Sequence, residues 1–222
     1  MRKMIFTSAL YDCQTPYLKP LFERSTYPWD MLPKIGDYIK TLLMEGIEGY
    51  TQVAEGILVG QNVKIHPNAV IEPPAVIGSG TDIRHGAYLR GNVILGEGCV
   101  IGNSSELKNC ILLTHVQVPH YNYVGDSILG NFAHMGAGAI CSNLKMDKKA
   151  VVIHGDIEYE TGLRKVGSML GDHADVGCGC VLNPGTVIGP YTTVYPLTPL
   201  RGVYPDHAIV KKTDIVVPRR ED

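Results

Sequence analysis

Arg90 and Lys108 lie 18 residues apart, and each directly follows a leucine, Leu89 or Leu107. Two cations held on one edge could bind a small dianion such as a phosphate monoester, or they could be ordinary surface charges. Beyond them His120 stands between a proline and two tyrosines in V118-P-H-Y-N-Y-V-G-D126. A histidine there could act as a general base, since its ordinary pKa is about 6.5, or it could be structural. Gly136-Ala137-Gly138 follows, a corner whose N–H groups could meet an oxyanion or could simply turn the chain. Asn143 lies a few residues further on.

To work together these residues need a scaffold that brings them onto adjoining rungs, and the sequence carries one. From Val59 a large aliphatic recurs every six residues: Val59, Ile65, Ile71, Ile77, Ile83, Leu89, Leu95, Ile101, Leu107 and Leu113. The residue two before each is mostly small or β-branched, and glycine often follows, as at Gly60, Gly78, Gly96 and Gly102. A period of six fits neither a helix nor a simple alternating strand. It fits a short strand plus a turn, three of which close a triangular coil that buries the aliphatic ladder. The beat resumes at Leu129, Met135 and Cys141, and again at Leu170, Val176, Leu182, Ile188 and Val194. The expected fold is all-β: a left-handed parallel β-helix of hexapeptide repeats over residues 55–212, with about six coils. One coil is 18 residues, so Arg90 and Lys108 should stack one rung apart. The stretch around His120 reads as a segment that has left the frame.

Residues 1–54 lack the repeat and form an N-terminal extension. Its W29-D-M-L-P-K-I-G-D-Y-I-K-T-L-L-M44 reads as an amphipathic helix with Ile35, Ile39, Leu42 and Leu43 on one side and Pro33 near its start. Its expected role is to cap the first coil against water. Residues 144–168 form a loop excursion, with a hairpin expected from residues 151–153 and 157–159 around H154-G-D156. The excursion carries Lys145, Lys148, Lys149, Arg164 and Lys165. Residues 213–222 are a C-terminal tail.

The 222 residues suit one large domain, and 20 basic against 22 acidic residues imply no nucleic-acid or anionic-membrane partner. The start, MRKMIFTSALYDCQ, has too short an apolar run for a signal peptide or a membrane span. The six cysteines form no CxxC pair; Cys99, Cys141 and Cys180 fall at inward positions of the repeat and read as small buried hydrophobes. The composition points to the cytoplasm.

The run Glu106-Leu107-Lys108, the stretch PHYNYVGD from Pro119, MGAG from Met135 and Cys141-Ser142-Asn143 resemble the acetyltransferase half of a bifunctional family. That family is N-acetylglucosamine-1-phosphate uridylyltransferase / glucosamine-1-phosphate acetyltransferase. T161-G-L-R-K-V-G167 is more similar to the acetyltransferase tail of simpler sugar-1-phosphate nucleotidylyltransferases. The resemblance implies an acetyl-CoA-dependent N-acetyltransferase acting on an amino-sugar 1-phosphate, with acetyl-CoA as co-substrate and no metal. It implies that His120 is the general base, that Asn143 positions substrate and acetyl group, and that Arg90, Lys108 and Tyr123 hold the sugar phosphate, with Lys149 a further ligand. The Ala137 N–H would meet the thioester oxygen, Gly138 and Cys178 would lie beside acetyl-CoA, and Lys211 would be a cation for the cofactor's phosphates. It also implies a homotrimer with the site between neighbouring β-helices. This sequence departs from the family at His134, where an asparagine touches the sugar, and at Pro196, where a small residue stands near the cofactor. The nucleotidyltransferase signature is missing from residues 1–55.

Two other readings compete. H115-V-Q-V-P-H120 has a spacing found in γ-class carbonic anhydrases, and His85 or His134 could complete a zinc site. A non-catalytic β-helix that binds a sugar phosphate or a nucleotide sugar is the other.

Overall fold

The computed structural model describes residues 4–219; the basic start at residues 1–3 and the end of the tail at 220–222 lie outside them. The repeat folds as a parallel β-solenoid with three faces, here I, II and III. Their sheets have nine, nine and seven strands. Faces I and II each include one antiparallel edge strand, Thr51–Ala54 and Ile215–Pro218, so each has eight parallel rungs. The solenoid is therefore longer than the expected six coils, because Val118 and Val124 fill the apparent break and Leu200, Tyr204 and Val210 continue the inward ladder past Val194.

The ladder points inward as the period demands: Ile77, Ile83, Leu89, Leu95, Ile101 and Leu107 are all fully buried. The frame then behaves differently from the sequence reading. Leu112, not Leu113, enters the interior, while Leu113 joins an outer cluster. Five residues separate Leu107 from Leu112, and five separate Val124 from Leu129, where six are usual; Val118 and Val124 lie between on the normal beat. Strand pairing agrees, with Leu112 opposite Leu95, Val118 opposite Ile101 and Val124 opposite Leu107. Both short steps turn the same edge, from face III to face I. Each uses a residue in the left-handed region, Asn109 at φ 49° and Asp126 at φ 49°, residue types that tolerate it. The segment containing His120 never leaves the solenoid.

Face I is apolar on both sides. Its outward residues Leu58, Val76, Ile94, Ile111, Ile128, Met169 and Val187 form a second core with Leu10, Leu18, Phe22, Trp29, Met31 and Ile39 of the extension. The extension therefore lies along face I instead of capping the first coil, whose Ile65 and Val70 remain exposed. Lengthwise anchors hold it: the Tyr11 hydroxyl donates to the Ile128 carbonyl, and Asp12 N–H donates to Asp172 Oδ2 at 2.9 Å. The expected helix forms as a 3-10 turn, Pro28–Lys34, running into an α-helix, Ile35–Glu45. The excursion holds the expected hairpin one residue on, Val152–His154 paired antiparallel with Glu158–Glu160.

Candidate functional site

Face III and its two edges gather most of the singled-out residues. Along edge III–I, Arg90, Lys108 and Gly125 follow the inward residues of successive rungs, so the two cations stack one rung apart. Arg90 Nη1 donates to Glu106 Oε1 at 2.6 Å. Tyr123 points outward on the same face, and its hydroxyl occupies space left by Gly125, where a Cβ would stand 2.5 Å from Oη. Burial pushes the Tyr123 phenol up, against a smaller lowering by its Asn143 bond, which keeps it a protonated donor. Asn143 Nδ2 donates to Tyr123 Oη at 3.2 Å and to Asp126 Oδ2 at 2.5 Å.

Edge II–III carries a different column. His120 and Ala137 each stand two residues after the inward residue of face II, as do Cys178 and Pro196. Their backbones are joined rung to rung: Gly138 N–H to His120 O at 3.0 Å, Gly179 N–H to Ala137 O at 2.8 Å, Leu197 N–H to Cys178 O at 2.9 Å. Rungs repeat at about 5 Å. His120 and Cys178 are exposed, and Ala137 is half-buried. The Gly138 N–H is committed to the ladder, whereas the Ala137 N–H makes no hydrogen bond among the described residues. Lys211 lies on the last rung of face II, and Lys149 is exposed on the excursion, with its N–H on Asp147 Oδ1.

A residue the sequence reading missed holds this corner together. Asn122 is buried at 2% exposure at the inward position that the repeat fills with small residues, two before Val124. Its Oδ1 accepts from His120 N–H at 3.0 Å, and its Nδ2 donates to Gly136 O at 2.8 Å and Ala139 O at 3.2 Å. One side chain thus pins both the His120 backbone and the Gly-Ala-Gly corner. The signal was its place in the frame, hidden while that frame was read as broken.

His134 stands apart on face II, with Nδ1 2.8 Å from Asp175 Oδ1, and that bond holds the Asp175 carboxyl below its ordinary range. His115 belongs to edge I–II, stacked on Phe132 at a centroid distance of 5.0 Å in a column that continues through His173, Tyr191 and His207. The HxxxxH spacing therefore carries its two histidines to different edges. Among the described residues no group of three His, Cys, Asp or Glu side chains could hold a metal ion.

Residues 76–163 match the GMPPB C-terminal domain family, and residues 56–91 match the bacterial transferase hexapeptide (six repeats) family. The Bifunctional protein GlmU of Methanococcus maripaludis is 31% identical over 226 residues, covering 100% of this chain and 54% of that protein. The protein of the same name from Methanococcus aeolicus is 35% identical over 194 residues, 86% of this chain and 47% of its own length. The bifunctional sugar-1-phosphate nucleotidylyltransferase/acetyltransferase of Sulfurisphaera tokodaii is 35% identical over 97 residues, 43% of this chain and 24% of its own length. The chain spans about half the length of the first two relatives. Among solved structures, UDP-N-acetylglucosamine acyltransferase from Campylobacter jejuni aligns with a TM-score of 0.43 and 20% identity, over 67% of this chain and 68% of that one. The matching families and bifunctional relatives bear out the resemblance read from the sequence.

Proposed function

We propose that this chain is an acetyl-CoA-dependent N-acetyltransferase acting on an amino-sugar 1-phosphate, with His120 as general base. The observation that carries the reading is the juxtaposition of two columns across face III. An exposed imidazole and a free corner N–H line one edge, and two stacked cations with a tyrosine and an asparagine line the other. His120 takes a proton from the sugar amine as its nitrogen attacks the thioester carbonyl. The carbonyl oxygen, now anionic, meets the Ala137 N–H. Collapse of the tetrahedral species expels the CoA thiolate, which recovers the proton from His120. Arg90 and Lys108 hold the sugar phosphate with the Tyr123 hydroxyl, Lys149 approaching from the excursion. Acetyl-CoA runs along edge II–III past Gly138 and Cys178 toward Lys211.

Within one chain His134 and Arg90 lie on different faces, so a sugar that touches both requires a second copy. This favours a homotrimer built through faces II and III, face I being sealed by the extension. Among the described residues no helix is long and apolar enough to cross a membrane; we place the reaction in the cytoplasm, where acetyl-CoA is supplied.

A thiol-release assay with acetyl-CoA and glucosamine-1-phosphate or galactosamine-1-phosphate tests this directly. The expected result is CoA release with at least one sugar, reduced by about 100-fold or more in His120→Ala. No CoA release with either sugar, from folded protein whose mass by light scattering is that of a trimer, overturns it in favour of the non-catalytic binding reading. That reading gains its support from the His120 ring, which has no hydrogen-bond partner among the described residues.

A further inference from the structure

At the tight corner between faces III and I, Asp126 is buried to 6% exposure. Its backbone does the ordinary work of a rung: its N–H donates to Lys108 O at 2.9 Å, and its carbonyl accepts from Gly167 N–H at 2.7 Å. Those bonds would serve any residue able to adopt φ 49°. The side chain is another matter. Oδ1 accepts from Asn109 Nδ2 at 2.8 Å and Oδ2 from Asn143 Nδ2 at 2.5 Å. The carboxylate borders a cleft also lined by Asn109, by Leu163, Arg164 and Lys165 of the excursion, and by Leu32 and Pro33 of the extension. Its hydrogen-bond partners are two neutral amides, with Arg164 and Lys165 in the same cleft but in no ion pair with it among the described residues. Burying a charge there costs free energy that a neutral residue would not, so the charge is better explained by what it orders.

An ionised carboxylate only accepts hydrogen bonds. Asn143 must therefore turn its NH2 toward Asp126, and the same NH2 group reaches Tyr123 Oη at 3.2 Å. Two consequences follow. Asn143 Oδ1 is directed away from Asp126, where it can accept from a ligand donor such as a sugar amine. Tyr123 Oη, accepting from Asn143, keeps its own O–H proton for an outward bond, suited to a phosphate oxygen.

We infer that Asp126 is a positioning residue of the substrate face, fixing the Asn143 amide in one orientation and, through it, the donor direction of Tyr123. The inference rests on the acetyltransferase reading for its kinetic consequence but not for its structural one. The Asn109 amide is fixed by the same carboxylate and also donates to Leu32 O at 3.3 Å, which ties the arrangement to the extension.

The test is a double-mutant cycle of Asp126→Ala and Asn143→Ala, with Asp126→Asn as the milder variant, read by turnover and by the Asn143 side-chain amide signals in 15N-resolved spectra. Asp126→Ala should lower kcat about 10- to 100-fold, the range seen when a group that orients a functional side chain is removed elsewhere. The KM for acetyl-CoA should not change. In the Asn143→Ala background the same substitution should change kcat less than about twofold, because its target is gone. Equal losses in both backgrounds overturn the inference and leave Asp126 a corner residue. If Asp126→Ala does not fold, Asp126→Asn carries the cycle with the same criterion. If the wild-type chain acetylates neither sugar phosphate, the functional reading fails, and the amide signals still decide. They should move toward free-amide positions on substitution of Asp126, and their constancy would refute the positioning.

Discussion

Gly102 sits at edge II–III, one rung before Pro119 and His120. A Cβ at Gly102 would stand 1.5 Å from the Pro119 carbonyl oxygen and 2.1 Å from its carbon. Ordinary C···O contact is about 3.3 Å, so Gly102→Ala forces the two rungs apart by about 1.8 Å there. The obstacle is backbone, and the neighbouring ladder bond, Tyr121 N–H to Asn103 O at 2.9 Å, cannot stretch so far and survive. One lost ladder bond together with overpacking strain sums to about 3 kcal/mol. For a chain of this size that lowers Tm by about 6–12 °C. A displacement of an ångström or more at the His120 corner should also reduce kcat of the folded enzyme by about 100-fold. Gly78→Ala is the control: its Cβ would stand 2.2 Å from Gly96 O, a comparable clash on edge I–II, away from His120. Calorimetry with acetylation kinetics below both melting points separates the two. Gly78→Ala should lose stability and keep kcat; Gly102→Ala should lose both. A Gly102→Ala protein that melts within about 2 °C of wild type refutes the rung geometry, and one that is destabilised with kcat intact refutes the placement of His120 in the reaction.

Asn122→Ala leaves His120 N–H, Gly136 O and Ala139 O without their buried partner, so urea unfolding should show a loss of at least about 2 kcal/mol at unchanged m-value. Arg90→Ala should raise the KM for the sugar phosphate while moving Tm by less than about 2 °C, since the exposed Arg90–Glu106 pair adds little stability. The His134 bond depresses the Asp175 pKa in the folded state, so its stabilisation is present above the ordinary aspartate pKa and is lost as pH falls through the folded value. His134→Ala should return the Asp175 carboxyl toward 3.8 in an NMR titration and remove that part of the acid dependence.

The inward ladder, the stacking of Arg90 on Lys108 and the hairpin were legible because each depends on residue type at fixed spacing. The two five-residue corners were not. Asn109 and Asp126 shorten a turn by adopting left-handed backbone, and counting by sixes turns each slip into an apparent break. The segment that seemed to step out of frame to present His120 is thus an ordinary rung, and Asn122 was overlooked with it. The burial of face I had a signal of its own. ILV at 57–59, AVI at 75–77, VIL at 93–95 and CIL at 110–112 are apolar triplets, where a face exposed to water would show a polar middle residue. The amphipathic helix was read from the sequence, but the extension was assigned to the first coil instead of to face I.

The extension that seals face I also sets an order of assembly. Leu10 and Tyr11 find their partners at Asp172 and Ile128, more than a hundred residues later in the chain. Rungs of a solenoid contact only their neighbours and can form progressively, but the extension has no complete surface to dock on until the rung of Val187 is in place. The segment synthesised early is thus among the last to settle. Until it does, the ridge of Leu58, Val76, Ile94 and Ile111 faces water, an adhesive stage that faster folding of the later rungs would shorten.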